Sequence, residues 1–147
     1  MKGVGWNPAS AVKAVIRKGG IPITLYSLHI CGSKKDKGHA HFLATEVLPK
    51  EKSERVIVAG DFNNRVGDDS LNFVEGEGMR PTWKDLKIDL SQNFSYNALA
   101  PEKQAGVIDH IFYKVSSGAR VTDGGIIELR KPLSDHKPVW AELVFPR

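Results

Sequence analysis

The run Ile21-Pro22-Ile23-Thr24-Leu25-Tyr26-Ser27-Leu28-His29-Ile30 constrains the fold more than any other part of the chain. It is β-rich and nearly continuous apolar material in its middle, the pattern of a strand covered on both faces. A second β-rich run, Ala11 to Arg17, precedes it across Lys18-Gly19-Gly20, so the two read as a hairpin. Downstream, His39 to Leu48 sets Phe42, Leu43, Val47 and Leu48 on one helical face, and Pro49 with the charged stretch to Arg55 closes that helix. Arg55 to Gly60 is a short buried strand by composition. A short helix near Ser70 to Glu75 is broken by Gly76-Glu77-Gly78. Val107 to Lys114, Ala119 to Leu129 and Pro138 to Phe145 then read as strands. This order predicts an α/β protein of the α+β type, with a mixed, mostly antiparallel sheet and helices on one face.

Composition narrows the classes. A length of 147 residues fits one domain, and 41% hydrophobic with 26% charged residues is ordinary for a globular chain. Cys31 is alone, which excludes an intrachain disulfide framework and cysteine-cluster zinc sites. No apolar run approaches the ~18 residues of a membrane-spanning helix, and Met1 to Trp6 has no signal-peptide core. The net charge of +4 favours an anionic partner without specifying one.

Chemistry-bearing residues gather at predicted strand ends: His29, the Gly60-Asp61-Phe62-Asn63 turn, Asp109 and Ser134-Asp135-His136. If the strand continues through Asp61 and Asn63, their side chains share one face about 6.6 Å apart, with Phe62 turned into the core. A carboxylate and an amide so placed suit a water that must be oriented and deprotonated. Equally, both residues start turns readily, and an Asp-x-Asn after a strand is common turn chemistry. Asp135 offers a hard oxygen to Mg²⁺, and His136, poised by a carboxylate such as Asp109, can hold or move a proton near neutral pH. The bland alternative is a Ser-Asp cap on the following strand. His110 alternates with Asp109, so it should face the other side and pack. His39 and His41 read as surface or cap residues and Cys31 as a small buried one. Lys34 to Lys37 reads as a solvated loop, and Trp83 and Tyr96 as core or rim aromatics with the capacity to stack on a base or sugar.

Four segments, in order, carry a family resemblance: Leu28-His29, Val58-Ala59-Gly60-Asp61-Phe62-Asn63-Asn64, Ile108-Asp109-His110-Ile111-Phe112 and Ser134-Asp135-His136-Lys137-Pro138-Val139. Together they resemble the endonuclease/exonuclease/phosphatase (DNase I-like) superfamily. The resemblance implies a two-sheet α/β sandwich and Mg²⁺-dependent (or Mn²⁺-dependent) phosphoester hydrolysis without a covalent intermediate. It further implies that Asp61 orients or activates water with Asn63 beside it, and that His136 contacts the scissile phosphate. Asp109 would hydrogen-bond His136, Asp135 would be a metal ligand, and His29 would stand near the leaving group.

The sequence also departs from that pattern. Family domains run to about 250 residues, and their first half carries an Asn at a strand end and a Gln-Glu turn whose Glu is a principal metal ligand. No Gln-Glu pair occurs here, and Trp6-Asn7-Pro8 lies in the wrong context to supply the Asn. Residues 1–147 are therefore expected to form a single partial domain, about half of a DNase I-like sandwich, with the N-terminal half absent. An isolated half would leave an apolar face open, with Val56, Ile57, Val58, Ile108, Ile111 and Phe112 needing cover. That predicts a homodimer or pairing with a chain carrying the first half. The expected partner is a phosphoester substrate, with nucleic acid, phospholipid headgroup and sugar phosphate all open. Two functions follow as expectations: a metal-dependent phosphoesterase, or a non-catalytic fragment that binds a phosphorylated ligand or a partner protein.

Overall fold

Left-handed backbone at Gly19 (φ 59°) and Gly20 (φ 82°) closes the first hairpin in two residues, as the twist of the flanking strands requires. The structure, a computed structural model, describes residues 9–31, 38–103 and 106–146. Strand β1 (Ser10–Lys18) pairs antiparallel with β2 (Ile21–His29). Strand β2 then runs parallel to β3 (Val56–Asp61), which pairs antiparallel with β5 (Asp109–Lys114). The short strand β4 (Met79–Pro81) lies antiparallel on the far side of β5, so the mixed sheet has the order β1-β2-β3-β5-β4. Strands β6 (Arg120–Ile126) and β7 (Val139–Val144) form a separate antiparallel pair. No helix among the described residues is long and apolar enough to cross a membrane.

The helical crossover between β2 and β3 is irregular. Helix α1 (Gly38–Phe42) widens into a π turn (Leu43–Val47), in which the Leu48 N–H donates to the Leu43 carbonyl, and ends in a 3₁₀ turn (Leu48–Lys50). The change of pitch turns Ala44 inward with Leu43 and Leu48 and leaves Phe42 47% exposed, so of the expected face Leu43, Val47 and Leu48 are covered and Phe42 is not. Helix α2 (Asp69–Gly76) buries Leu71 and Val74 and stops before Gly78 (φ 75°). The single turn α3 (Trp83–Leu86) follows β4 and buries Trp83.

Side chains at paired positions of neighbouring strands share a face. On the helix side, Tyr26 and Leu28 of β2, Val56 and Val58 of β3 and Phe112 of β5 join Leu43, Leu48, Leu71, Val74 and Met79 in one core. Burying a side chain of this size contributes about 1.5–3 kcal/mol. The other face, with Leu25, Ile57 and Ile111, is only half-buried, and Val12 and Ile16 of β1 stand 66% and 44% exposed on it. Two sequence expectations are corrected here. Strand β2 alternates between a covered and an open face instead of being covered on both. Val56, Val58, Ile108 and Phe112 are already buried within the chain, so of the six expected residues only Ile57 and Ile111 lie on the open face.

Candidate active site

The strand register assembles the first part of the site. His29 pairs with Asp61 across the parallel ladder, and Asp61 with Asp109 across the antiparallel one, so three side chains leave adjacent strand ends on the face opposite the helices. Gly60 makes this approach possible. Its φ is 144°, and a Cβ there would lie 1.9 Å from the Leu28 carbonyl oxygen, so only glycine fits.

His136 reaches the same point from the segment before β7. An antiparallel bridge joins Tyr96 to His136, the Ala98 N–H donates to the Asp135 carbonyl (2.8 Å), and the Lys137 N–H donates to the Ser95 carbonyl (2.8 Å). The rings of Tyr96 and His136 lie 4.9 Å apart. Within that clamp, His136 Nδ1 sits 3.0 Å from Asp109 Oδ2 and Nε2 is 3.9 Å from Asp61 Oδ2. His29 Nε2 stands 3.6 Å from the same Asp61 oxygen. One ligand atom each from Asp61, Asp109 and His136 falls within 4.8 Å of the others.

Ser95 holds the two halves of this arrangement together. Fully buried, it accepts the Ile108 and Asp109 N–H groups on its hydroxyl (3.0 and 3.1 Å) while its carbonyl receives Lys137. Nothing in the sequence marks Ser95, because a serine between Phe94 and Tyr96 has no motif of its own.

Environment sets the protonation states. Burial raises the Asp61 pKa, the Asn63 N–H opposes it, and the Asp109 charge adds to the rise, leaving Asp61 above the usual carboxylate value. For His136 burial is the largest influence and lowers the pKa. The Asp109 hydrogen bond and the charges of Asp109, Asp61 and Asp135 outweigh it, so His136 stays protonated above its ordinary range.

The other candidate residues fall into place around this cluster. The strand does not continue to Asn63, which is left-handed (φ 51°) and not the extended residue expected. Its N–H donates to Asp61 Oδ1 (2.7 Å), and its side-chain amide donates to the Ile30 carbonyl (2.9 Å) and Asp61 Oδ2 (3.1 Å). The tetrapeptide is thus turn chemistry and site chemistry at once, with Phe62 fully buried as the alternation predicts. Asp135 is exposed beside the Ser134 hydroxyl (3.3 Å) and is not among the three clustered residues. His110 faces away from the site, fully buried, with its pKa pushed down to about 4 by burial. Cys31 is half-buried, not buried, and its N–H donates to His39 Nδ1 (3.1 Å). Trp83 is a core residue, 2% exposed and closed to stacking on a ligand. Lys34 to Lys37 and Trp6-Asn7-Pro8 lie outside the described residues.

The donor set fits a hard divalent cation. Two carboxylates that repel one another, both half-buried at strand ends, match the oxygen ligands that Mg²⁺ or Mn²⁺ takes while keeping several waters.

Residues 19–136 match the Endonuclease/Exonuclease/phosphatase family. No curated protein matches. Among solved structures, the mannosyl-6-phosphatase Bt3783 of Bacteroides thetaiotaomicron is 26% identical with a TM-score of 0.64, covering 86% of this chain and 53% of its own. An endonuclease/exonuclease/phosphatase family protein of the same organism is 24% identical with a TM-score of 0.67, over 94% of this chain and 56% of its own. TDP2 of D. rerio, complexed with a single-strand DNA product, is 20% identical with a TM-score of 0.72, over 96% of this chain and 64% of its own. The chain therefore spans between half and two-thirds of the length of these structures. With the matched segment extending from the first hairpin to His136, the chain belongs to the Endonuclease/Exonuclease/phosphatase family.

Proposed function

We propose that this chain carries a divalent-cation-dependent phosphoester hydrolase site, with Asp61, Asp109 and His136 at its centre. The observation that supports this reading most is the convergence of one ligand atom from each of these residues within 4.8 Å, with Asp109 oriented on His136 Nδ1.

In this mechanism Asp61 takes the proton from the attacking water as its oxygen bonds to phosphorus. Its raised pKa makes the carboxylate a better base than an exposed aspartate. Asn63 keeps it aimed, because its backbone and side-chain N–H groups engage the two carboxylate oxygens separately. Asp109 accepts the Nδ1 proton of His136 and leaves Nε2–H free to donate to the phosphoryl oxygens as their charge grows. When the bond from phosphorus to the alcohol oxygen breaks, half-exposed His29 at the neighbouring strand end would hand a proton to the leaving group. Asp61 and Asp109 would hold the cation, and the cation would polarise a phosphoryl oxygen.

Substrate class belongs to the same proposal. Similar structures are described as a mannosyl-6-phosphatase, as TDP2 with a single-strand DNA product and as a Neisseria 3' phosphatase with a DNA hairpin product. A phosphate ester on a sugar or on a DNA strand is the common chemistry, and the +4 charge attracts either. A second reading, binding of a phosphorylated ligand without turnover, is favoured by the partial coverage of the solved structures.

The test is hydrolysis of bis(p-nitrophenyl) phosphate and p-nitrophenyl phosphate by the purified chain with Mg²⁺, with Mn²⁺ and with EDTA, beside Asp61→Asn. Cation-dependent turnover lost in the variant supports the hydrolase. Inorganic phosphate binding by a folded but inactive chain supports the second reading.

A further inference from the structure

The Asp61 carboxylate is only as fixed as the turn that follows it. Asn63 in that turn is left-handed (φ 51°), a conformation asparagine adopts readily, and the contacts of its neighbours select it over the extended one. Three contacts hold residues 62–64 from the core side: Phe62 N–H to the Ile108 carbonyl (3.0 Å), the Asn64 amide to the Phe62 carbonyl (2.7 Å), and His110 Nε2 to the Asn64 carbonyl (2.7 Å). The last comes from a residue that motif reading assigns to packing alone.

The tautomer of that imidazole follows from its partners. The Trp83 indole Nε1 lies 2.9 Å from His110 Nδ1 and is a donor only, so Nδ1 must accept. The ring proton is then on Nε2, where a carbonyl oxygen requires a donor. His110 is fully buried and Trp83 is 2% exposed, so water competes for neither bond. Along β5, successive side chains point to opposite faces, so Asp109 enters the site while His110 supports it from behind.

We propose that His110 is a positioning residue for the active site: fixed as the Nε2–H tautomer by Trp83, it clamps the Asn64 carbonyl and keeps Asn63 left-handed and Asp61 aimed at Asp109 and His136. The proposal rests on the hydrolase reading for its effect on turnover, but its structural content stands apart from it. A side chain that only fills space at position 110 would leave the Asn64 carbonyl without a donor in a dry core and free the turn to relax. Glutamine, whose amide nitrogen reaches the place of Nε2, restores the donor.

The experiment compares the wild-type chain with His110→Leu, His110→Gln and Trp83→Phe by NMR and steady-state kinetics. Expected are wild-type imidazole ¹⁵N shifts of the Nε2–H form. In His110→Leu the Asn63 amide, bonded to Asp61 Oδ1, loses at least tenfold in hydrogen-exchange protection while the Val58 and Phe112 amides keep theirs. Glutamine recovers the Asn63 protection, and Trp83→Phe shows a mixture of tautomers with an intermediate loss. On bis(p-nitrophenyl) phosphate, kcat falls at least tenfold in His110→Leu at unchanged KM and returns in His110→Gln. An Nδ1–H tautomer, an unaltered Asn63 amide in the leucine variant, or a glutamine variant no better than leucine overturns the proposal. If His110→Leu does not fold, the tautomer and the Asn63 amide in Trp83→Phe decide it. A wild-type chain without turnover sinks the hydrolase reading instead, and the amide and tautomer measurements still judge His110.

Discussion

Asp109 and His136, 27 positions apart in sequence, meet with Oδ2 and Nδ1 at 3.0 Å. The first leaves the end of β5 and the second the segment before β7, so their contact reports the docking of that segment on the sheet.

This pair sets a pH dependence. The folded-state pKa of His136 lies above its ordinary 6.5, with burial opposing the rise and Asp109 outweighing it. The protonated imidazole therefore contributes stability that is fully present below about pH 6.5 and is lost as pH climbs through the raised value. Asp109→Asn should bring the His136 titration down toward its ordinary range, read by NMR of the imidazole C–H protons. An unshifted titration would remove Asp109 as the cause.

Asp61→Asn should separate activity from stability. Burial raises the Asp61 pKa, so its ionised form, present as pH rises through the folded value, costs stability at neutral pH. Asparagine removes that charge and can still accept the Asn63 backbone N–H on its oxygen, while its amide nitrogen costs the Asn63 side chain one acceptor. We expect kcat to drop by about 10²–10⁴, as for loss of a general base. The melting temperature should not fall in parallel, since the burial penalty on the charge is relieved. Calorimetry at pH 7 checks the second part.

Ser95→Ala should weaken fold and site together. It removes the hydroxyl that accepts the Ile108 and Asp109 N–H groups, leaving buried donors unpaired at a cost of about 2–3 kcal/mol. Urea unfolding measures the loss. The His136 titration should move in the same direction as in Asp109→Asn, since Asp109 is no longer fixed.

Much of this arrangement is legible in the sequence because short-range chemistry dictates it. Gly19-Gly20 closes a hairpin, Val56 to Gly60 can only be a buried strand, and alternation along β5 separates Asp109 from His110. The left-handed Asn63 turn is less visible, since a strand running on through Asn63 satisfies the same letters. Strand β4 and helix α3 are too short for periodicity to reveal them, and the π turn at Leu43–Val47 shifts the buried face by tertiary packing. Which apolar residues remain open is the least legible feature. It depends on which face of the sheet the helices cover, and alternation alone does not say.

Glu51 anchors the edge hairpin and should control acid unfolding. It follows the crossover helix and carries both the Tyr26 hydroxyl (2.5 Å) and the Lys13 ammonium (2.7 Å) on one oxygen, while its other oxygen accepts the Ser53 N–H (2.9 Å). Burial alone would raise its pKa, but these partners together bring it down to about 2 from the ordinary 4.5. Its contribution is therefore present above about pH 4.5 and disappears as pH falls from there toward 2. Glu51→Gln should cost about 1.5 kcal/mol at neutral pH through weakened bonds to a charged acceptor. Because β1 is exposed along its length, that loss should concentrate there, with Ala11 to Arg17 amides exchanging faster while Val58 and Phe112 stay protected. Only below about pH 2, where Glu51 is protonated in the folded chain as well, should the variant and the wild type unfold alike. A gap that persists at about pH 1 would mean that packing, and not the ionised carboxylate, holds β1 to the sheet.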